Sequence, residues 1–462
     1  MKNLKIYSII LAVLLMLGSC ESWIDSEVNV DPNNPSDVPV SLLLPDIQGF
    51  WAYQMGGDMT LASRLWMQQL SGEDRQGLTI DRYTYNEGDV GNIWRFSSYA
   101  ASFIDTKLLM DKAEEEGAPA YLGIAQVWWV YQFINLTDVF GDVPYSEAFK
   151  GLDNEKPVFD SQESIFNDLD SKLTAAINNL SADPGLIVPG EDDLIYGGDL
   201  SLWLKAAYAA RAKLYLRWGE RDNARLGQIQ AAIDNSFESS DEDLVFTFST
   251  AANNSNPLYQ FAVVDRPGYI AIGEYYMNLM NGGTPDDFSD DDPRLAVVAI
   301  PLNDSVYLGS VVGEPSGGVA SDLGPYLTDP TAEVVFASYA ELKFIEAELN
   351  AGTAAGVTAL QEAVAASLER FGVAGNDPAW EAANITGIAS ATLEEVMLAK
   401  YLGLAFQAEV YADYRRTGYP VLATYNNLPV PRRYPYSTAS SNYNGDNVPD
   451  ATKSTPVWWD VD

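Results

Sequence analysis

A helical period that stops abruptly on glycine and proline constrains this chain more than any other feature. Tyr121, Ile124, Val127, Trp128, Tyr131 and Ile134 recur at three- and four-residue spacing, so one apolar face runs along a predicted helix. Residues 135–151, which follow, read NLTDVFGDVPYSEAFKG. Gly141 tolerates a left-handed backbone, Pro144 has no amide with which to continue a helix, and Asp138 and Asp142 can accept from neighbouring amides. An ordered turn is the consequence, with Asp142, Pro144, Tyr145 and Glu147 expected to fasten one helix hairpin to the next.

The same alternation of apolar stripe and break recurs along the chain. Leu42, Leu43, Ile47, Phe50 and Trp51 open a first helical pattern that continues towards Leu70. Asp160 and Glu163 predict a capping box ahead of Ile165, Leu169, Leu173, Ile177 and Leu180. Asp199 caps a stripe through Trp203, Ala207, Leu214 and Trp218 that Gly219 ends, and another helix follows up to Phe237. Val334, Val335, Leu342, Ile345 and Leu349 predict a further helix, and residues 357–371 one more. A Thr392–Glu395 box opens a helix expected to run past Phe406 and Tyr411. Paired helices with short turns predict an all-α, mostly helical fold of tetratricopeptide-like hairpins. From residue 243 to about 330 the period changes, because Leu244, Phe246 and Phe248 alternate with Val245, Thr247 and Ser249. A few short strands in an irregular, loop-rich insertion are expected there.

The N-terminus carries an export signal. Lys2 and Lys5 precede an apolar run over residues 6–17, shorter than the roughly 20 residues that span a bilayer. Leu17, Gly18 and Ser19 before Cys20 form a lipobox, so residues 1–19 are predicted to be removed and Cys20 acylated. Cys20 is the single cysteine, which excludes an intrachain disulfide. Residues 20–40 read as a lipidated tether rich in Pro and Asn, and residues 41–462 as one domain held by burial.

Charge and residue usage exclude several functions. The chain has a net charge of −38 from 27 bases and 65 acids, and losing residues 1–19, with their two lysines, leaves 25 bases and −40. A surface this acidic repels phosphate backbones, so no nucleic-acid partner is expected, and neutral ligands fit better than anionic ones. There is no histidine, which removes Ser-His-Asp and Cys-His nucleophile systems and His-ligated metals together. No Gly-rich phosphate loop appears, and no cofactor is expected. Asp286, Asp287, Asp290, Asp291 and Asp292 offer hard oxygen ligands for calcium but lack the spacing and internal glycine of an EF-hand, so a solvated loop and no metal are expected. With so many acids a membrane-tethered carboxylate glycoside hydrolase stays open as an alternative to a binding protein. Nothing in the sequence sets two carboxylates across a bond, and a non-enzymatic binder is the expectation.

Two loop-like regions crowd aromatic rings beside Arg and Asn. The first, over residues 71–91 and the start of the next helix, holds Arg75, Arg82, Tyr83, Tyr85, Asn86, Asn92 and Trp94. The second, inside the insertion, holds Arg266, Tyr269, Tyr275 and Tyr276. Guanidinium forks and amides bond hydroxyls while flat rings stack on a sugar's C–H face. A ligand platform is therefore predicted from Arg82, Tyr83, Tyr85, Asn92, Trp94, Tyr269, Tyr275 and Tyr276, with Trp94 its strongest member. The competing expectation is that such rings fix helix entry from within the core.

Three wordings carry a resemblance: DVFGDVPYSEA from Asp138, DYRRTGYP from Asp413, and the closing VWWD from Val457. Together they resemble the SusD-like branch of the SusD/RagB family of outer-membrane lipoproteins. Arg415 and Arg416, just past a helix end, are expected to clamp its carbonyls and pair with Asp413. The resemblance implies a helical scaffold whose irregular insertion shares a binding face with the early loop. It also implies a lipid-anchored, cell-surface protein that captures oligosaccharides, or in some relatives peptides, and passes them to a SusC-like TonB-dependent outer-membrane transporter.

Overall fold

A computed structural model describes residues 38–251 and 253–461. The export signal, Cys20 and nearly all of the tether lie outside the described residues. Among the described residues no helix is long and apolar enough to cross a membrane. The described residues are mostly helical, and the eight short strands among them form four two-stranded antiparallel pairs.

Helices that follow one another in sequence pack against one another. Phe103–Glu115 lies on Pro119–Phe140, which lies on Gln162–Ser181, which lies on Leu200–Trp218, and Asn223–Ile233 closes the run. Tyr339–Leu349 and Ala354–Arg370 make a later hairpin. The expected helical fold of stacked hairpins is thus realised. Most of the caps follow the sequence: Asp199 accepts from the amides of Ser201 and Leu202, and Thr392 and Glu395 form a reciprocal box. One differs. Ser161, not Asp160, caps Gln162–Ser181, because Asp160 instead accepts from the amides of Tyr145 (3.0 Å) and Ser146 (2.9 Å) across the short pair Val143–Pro144 with Phe159–Asp160.

Two further differences come from contacts distant in sequence. Val334 and Val335 belong to the strand Glu333–Ala337, paired antiparallel with Leu244–Thr247, and the helix begins only after Ser338 caps Tyr339–Leu349. β-Branched residues fit a pleated ladder better than a helix once a partner strand is present. The last helix also breaks, into Leu393–Gly403 and Glu409–Thr417, with Phe406 at φ +68° between them. Gln69 accepts from the Phe406 amide at 2.7 Å and the Arg64 Nε donates to the Phe406 carbonyl at 2.7 Å, so the broken turn's backbone groups are satisfied from elsewhere.

The sequence motifs meet at one buried charge network. Arg217 bridges Asp138 at 2.8 Å and Glu409 at 2.7 Å, and Lys213 reaches Glu341 at 2.9 Å and Glu409 at 3.2 Å. Trp459 Nε1 donates to Asp138 at 2.9 Å, and Arg415 donates to the Asp138 carbonyl at 2.6 Å while its guanidinium lies 3.9 Å over the Tyr411 ring. Arg416 pairs with Asp413 at 2.9 Å and also with Glu348. Asp142 accepts from the Gln162 amide at 2.9 Å, and Tyr145 joins Trp129 and Asp168. These residues fasten the scaffold, with Arg415 and Arg416 inside the last turn of Glu409–Thr417 and not past its end as expected. Burial would raise the Glu409 carboxyl, but Arg217 and Lys213 outweigh it and hold it well below the usual carboxylate range.

Candidate ligand-binding site

The early loop is more ordered than its composition implies, and that order brings it to the insertion. Residues 71–91 contain a helix, Arg75–Asp81, whose first amide is bonded by Asp74. Just before it, Leu70–Gly72 pairs antiparallel with Ile270–Ile272 of the insertion, in the register Leu70 to Ile272 and Gly72 to Ile270. The approach is so close that a Cβ on Gly72 would lie 2.2 Å from the Gly77 carbonyl oxygen, and one on Gly77 would lie 2.4 Å from that of Tyr269. Only glycine fits at either place.

Where these segments meet the first helices there is a cavity of about 240 Å³. Tyr53 and Asp58 reach it from Val40–Gly56 and Asp58–Trp66, Gln76 and Ile80 from the short helix, and Tyr85, Asp89 and Asn92 from the loop that follows. Pro257, Gln260, Phe261, Asp265 and Arg266 close it from the insertion. Tyr53 is 42% exposed, and Arg266 lies 3.4 Å from the Gln76 amide oxygen. Burial, then Asp58 and Asp265, raise the pKa of the Tyr53 hydroxyl. Asp58 is an exposed residue, yet desolvation of its carboxyl raises its pKa despite a hydrogen bond with Asn92 and the charge of Arg266. Rings, amides, carboxylates and one guanidinium thus converge on a space that suits a polyhydroxylated ligand.

The eight residues predicted as one platform do not assemble as one. Tyr85 and Asn92 line this cavity, although Tyr85 is only 5% exposed and packs edge-on to Trp66 and Tyr434. Tyr83 and Tyr276 are buried, the latter against Tyr401 and Phe406, and neither ring has a face to give a ligand. Arg82 donates to the Gly313 carbonyl at 2.8 Å and lies over the Tyr425 ring. Tyr269 is half-buried with Arg75 and Arg266 beside its ring, and Tyr275 lines a separate cleft with Gln68 and Asn278. Trp94 packs among Tyr99, Phe140, Phe159 and Tyr436, at the start of Asn92–Ser102, which winds as a π-helix. One edge of Trp94 borders a larger apolar cleft of about 530 Å³ on another face. Burial explains Tyr83, Tyr276 and Trp94, because an aromatic ring is the largest apolar payload available to the core, whereas Arg82, Tyr269 and Tyr275 are engaged by other partners or another cleft. Tyr53 escaped the sequence reading because it sits within the apolar pattern of the first helix, whereas Phe261 and Arg266 lay in a crowded stretch that sequence alone could not rank.

Three members of the acid run bond neighbouring hydroxyls or one arginine. Asp290 accepts from Thr284, Asp287 from Ser289, and Asp292 pairs with the buried Arg294 at 2.6 Å.

A family model described as starch-binding, associating with outer membrane, matches residues 32–437. The chain belongs to the SusD-like family. Solved structures extend the likeness over almost the whole of this SusD-like chain. A chitin-binding protein is 25% identical with a TM-score of 0.78, covering 92% of this chain and 100% of its own. A SusD/RagB family protein from Bacteroides thetaiotaomicron VPI-5482 is 24% identical with a TM-score of 0.77, covering 92% and 99%. A chitin-binding SusD homolog from Flavobacterium johnsoniae shares the fold at 20% identity and a TM-score of 0.74, covering 91% and 98%. No curated protein matches the chain.

Proposed function

We propose that this SusD-like chain is a lipid-anchored, cell-surface nutrient-binding protein that captures oligosaccharides and delivers them to a SusC-like TonB-dependent transporter in the outer membrane. The observation that carries the reading is the cavity between the early loop and the insertion, which Tyr53 lines together with Gln76, Asn92, Gln260 and Arg266. A sugar ring gains its affinity from an aromatic face together with a few hydrogen bonds. Family membership and an outer-membrane family description support the compartment, and the lipobox at Cys20 supports the anchor.

Calorimetry of the full chain against maltohexaose and the hexamer of N-acetylglucosamine tests the proposal. Binding of at least one, weakened by Tyr53→Ala and by Arg266→Ala at an unchanged melting temperature, is the expected result. Loss of a stacked ring corresponds to about 1–3 kcal/mol. Binding indifferent to both substitutions would move the site elsewhere, and release of shortened sugars would replace the binder with a carboxylate hydrolase.

A further inference from the structure

The cavity wall is not electrically balanced. Asp58, Asp89 and Asp265 line it against the single guanidinium of Arg266. Their negative field converges on the interior: Asp58 and Asp265 both act on the Tyr53 hydroxyl, and Asp58 and Asp89 both act on that of Tyr85. Arg266 is drawn to one side, with its guanidinium 5.8 Å from the centres of the Phe261 and Tyr269 rings. The three carboxylates do not close on a metal ion, since among the described residues no group of three or more acidic side chains is placed to hold one. What they surround is a space of ligand size, walled partly by rings and amides.

We propose that this cavity selects saccharides carrying a protonated amine, glucosamine-type units, over neutral and acidic sugars. The inference rests on the glycan-binding reading above and narrows it. A neutral hydroxyl can donate to one carboxylate, but it leaves in place the excess negative charge of a wall that sets three carboxylates against one guanidinium. An ammonium group supplies three donors and the missing charge together. A uronate would meet the same wall with repulsion. A saccharide fits better than a basic peptide because Tyr53 lines the cavity together with the amide-bearing Gln76 and Gln260, a combination that suits a ring with hydroxyls on its rim.

Calorimetry of the full chain with hexamers of glucosamine, N-acetylglucosamine and galacturonic acid, at low and raised salt, tests this. The glucosamine hexamer is expected to bind on the order of tenfold more tightly than the N-acetylated one, with an advantage that shrinks as salt rises. The galacturonate hexamer is expected to bind weakest. Asp58→Asn and Asp265→Asn should each reduce the advantage while the melting temperature stays constant, and Asp265, exposed on its loop, serves if the Asp58 variant is unstable. Equal affinity for the first two hexamers, both weakened by Tyr53→Ala, would overturn amine selection and leave glycan binding standing. A preference that persists in both Asn variants would also overturn it. If no hexamer binds while oligolysine does, this inference and the glycan reading fall together.

Discussion

At the scale of single residues, burial decides what an aromatic side chain can do. Trp94→Ala is expected to cost about 3–5 kcal/mol of stability, because its ring fills space among Tyr99, Phe140, Phe159 and Tyr436. Ligand affinity in the Tyr53 cavity should survive the change, and a denaturant melt paired with calorimetry checks both halves. Two carboxyls make stability depend on pH. Burial, partly offset by the Tyr339 amide and Arg370, pushes Asp243 up to about 7, and burial pushes Asp81 up to about 6. A raised value means that the folded state holds its proton more tightly than the unfolded chain does. Their contribution is therefore complete below about pH 4 and is lost as pH rises through about 6 to 7. Melting temperature should fall over that window, and Asp243→Asn should flatten part of the fall.

At the scale of elements, a few contacts between segments far apart in sequence hold both scaffold and site. The Gly72–Gly77–Tyr269 approach ties the early loop to the insertion. Gly77→Ala, whose Cβ meets backbone rather than a movable side chain, should part that pairing, cost about 1–3 kcal/mol and weaken ligand binding. Thermal melts and calorimetry on the same preparation would show the two effects together. The buried network obeys different physics. Arg217→Met removes the guanidinium that Asp138 and Glu409 share in the core, leaving Glu409 with Lys213 and Asp138 with Trp459, at an expected cost of about 3–5 kcal/mol, read as a lowered denaturant midpoint. Glu409, held low by Arg217, should then titrate upward, and a midpoint as high as that of the unsubstituted chain would show that the network contributes little.

At the scale of the whole molecule, the proposed lipid anchorage is expected to be separable from the helical body. Cys20→Ala should release the protein from membranes into the soluble fraction, with a helix-dominated circular dichroism spectrum like that of the unsubstituted chain. A variant that stayed membrane-bound after a high-salt wash would count against lipidation at Cys20. The hairpins are held by burial and by the charge network, and the irregular insertion leaves and returns through the pair Leu244–Thr247 and Glu333–Ala337. That placement lets the loops bear the cavity while the hairpins supply rigidity.

Local patterning determined the helical class, the order of hairpins, the turn at Gly141–Pro144 and the Asp199 and Thr392 caps, because each rests on interactions within a few residues. The export signal and the family wording are equally local. Only the tertiary structure decided that Val334 and Val335 form a strand, since a ladder needs its partner at Leu244–Thr247, nearly ninety residues away. It also decided that the last helix breaks at Phe406, where Gln69 and Arg64 take up the freed backbone groups. The site follows the same division. Sequence located two aromatic-rich segments and named Tyr85 and Asn92, but periodicity records which face is apolar and not what will cover it. Trp94 and Tyr276 therefore went into the core while Tyr53, on an apolar helix, was left partly exposed.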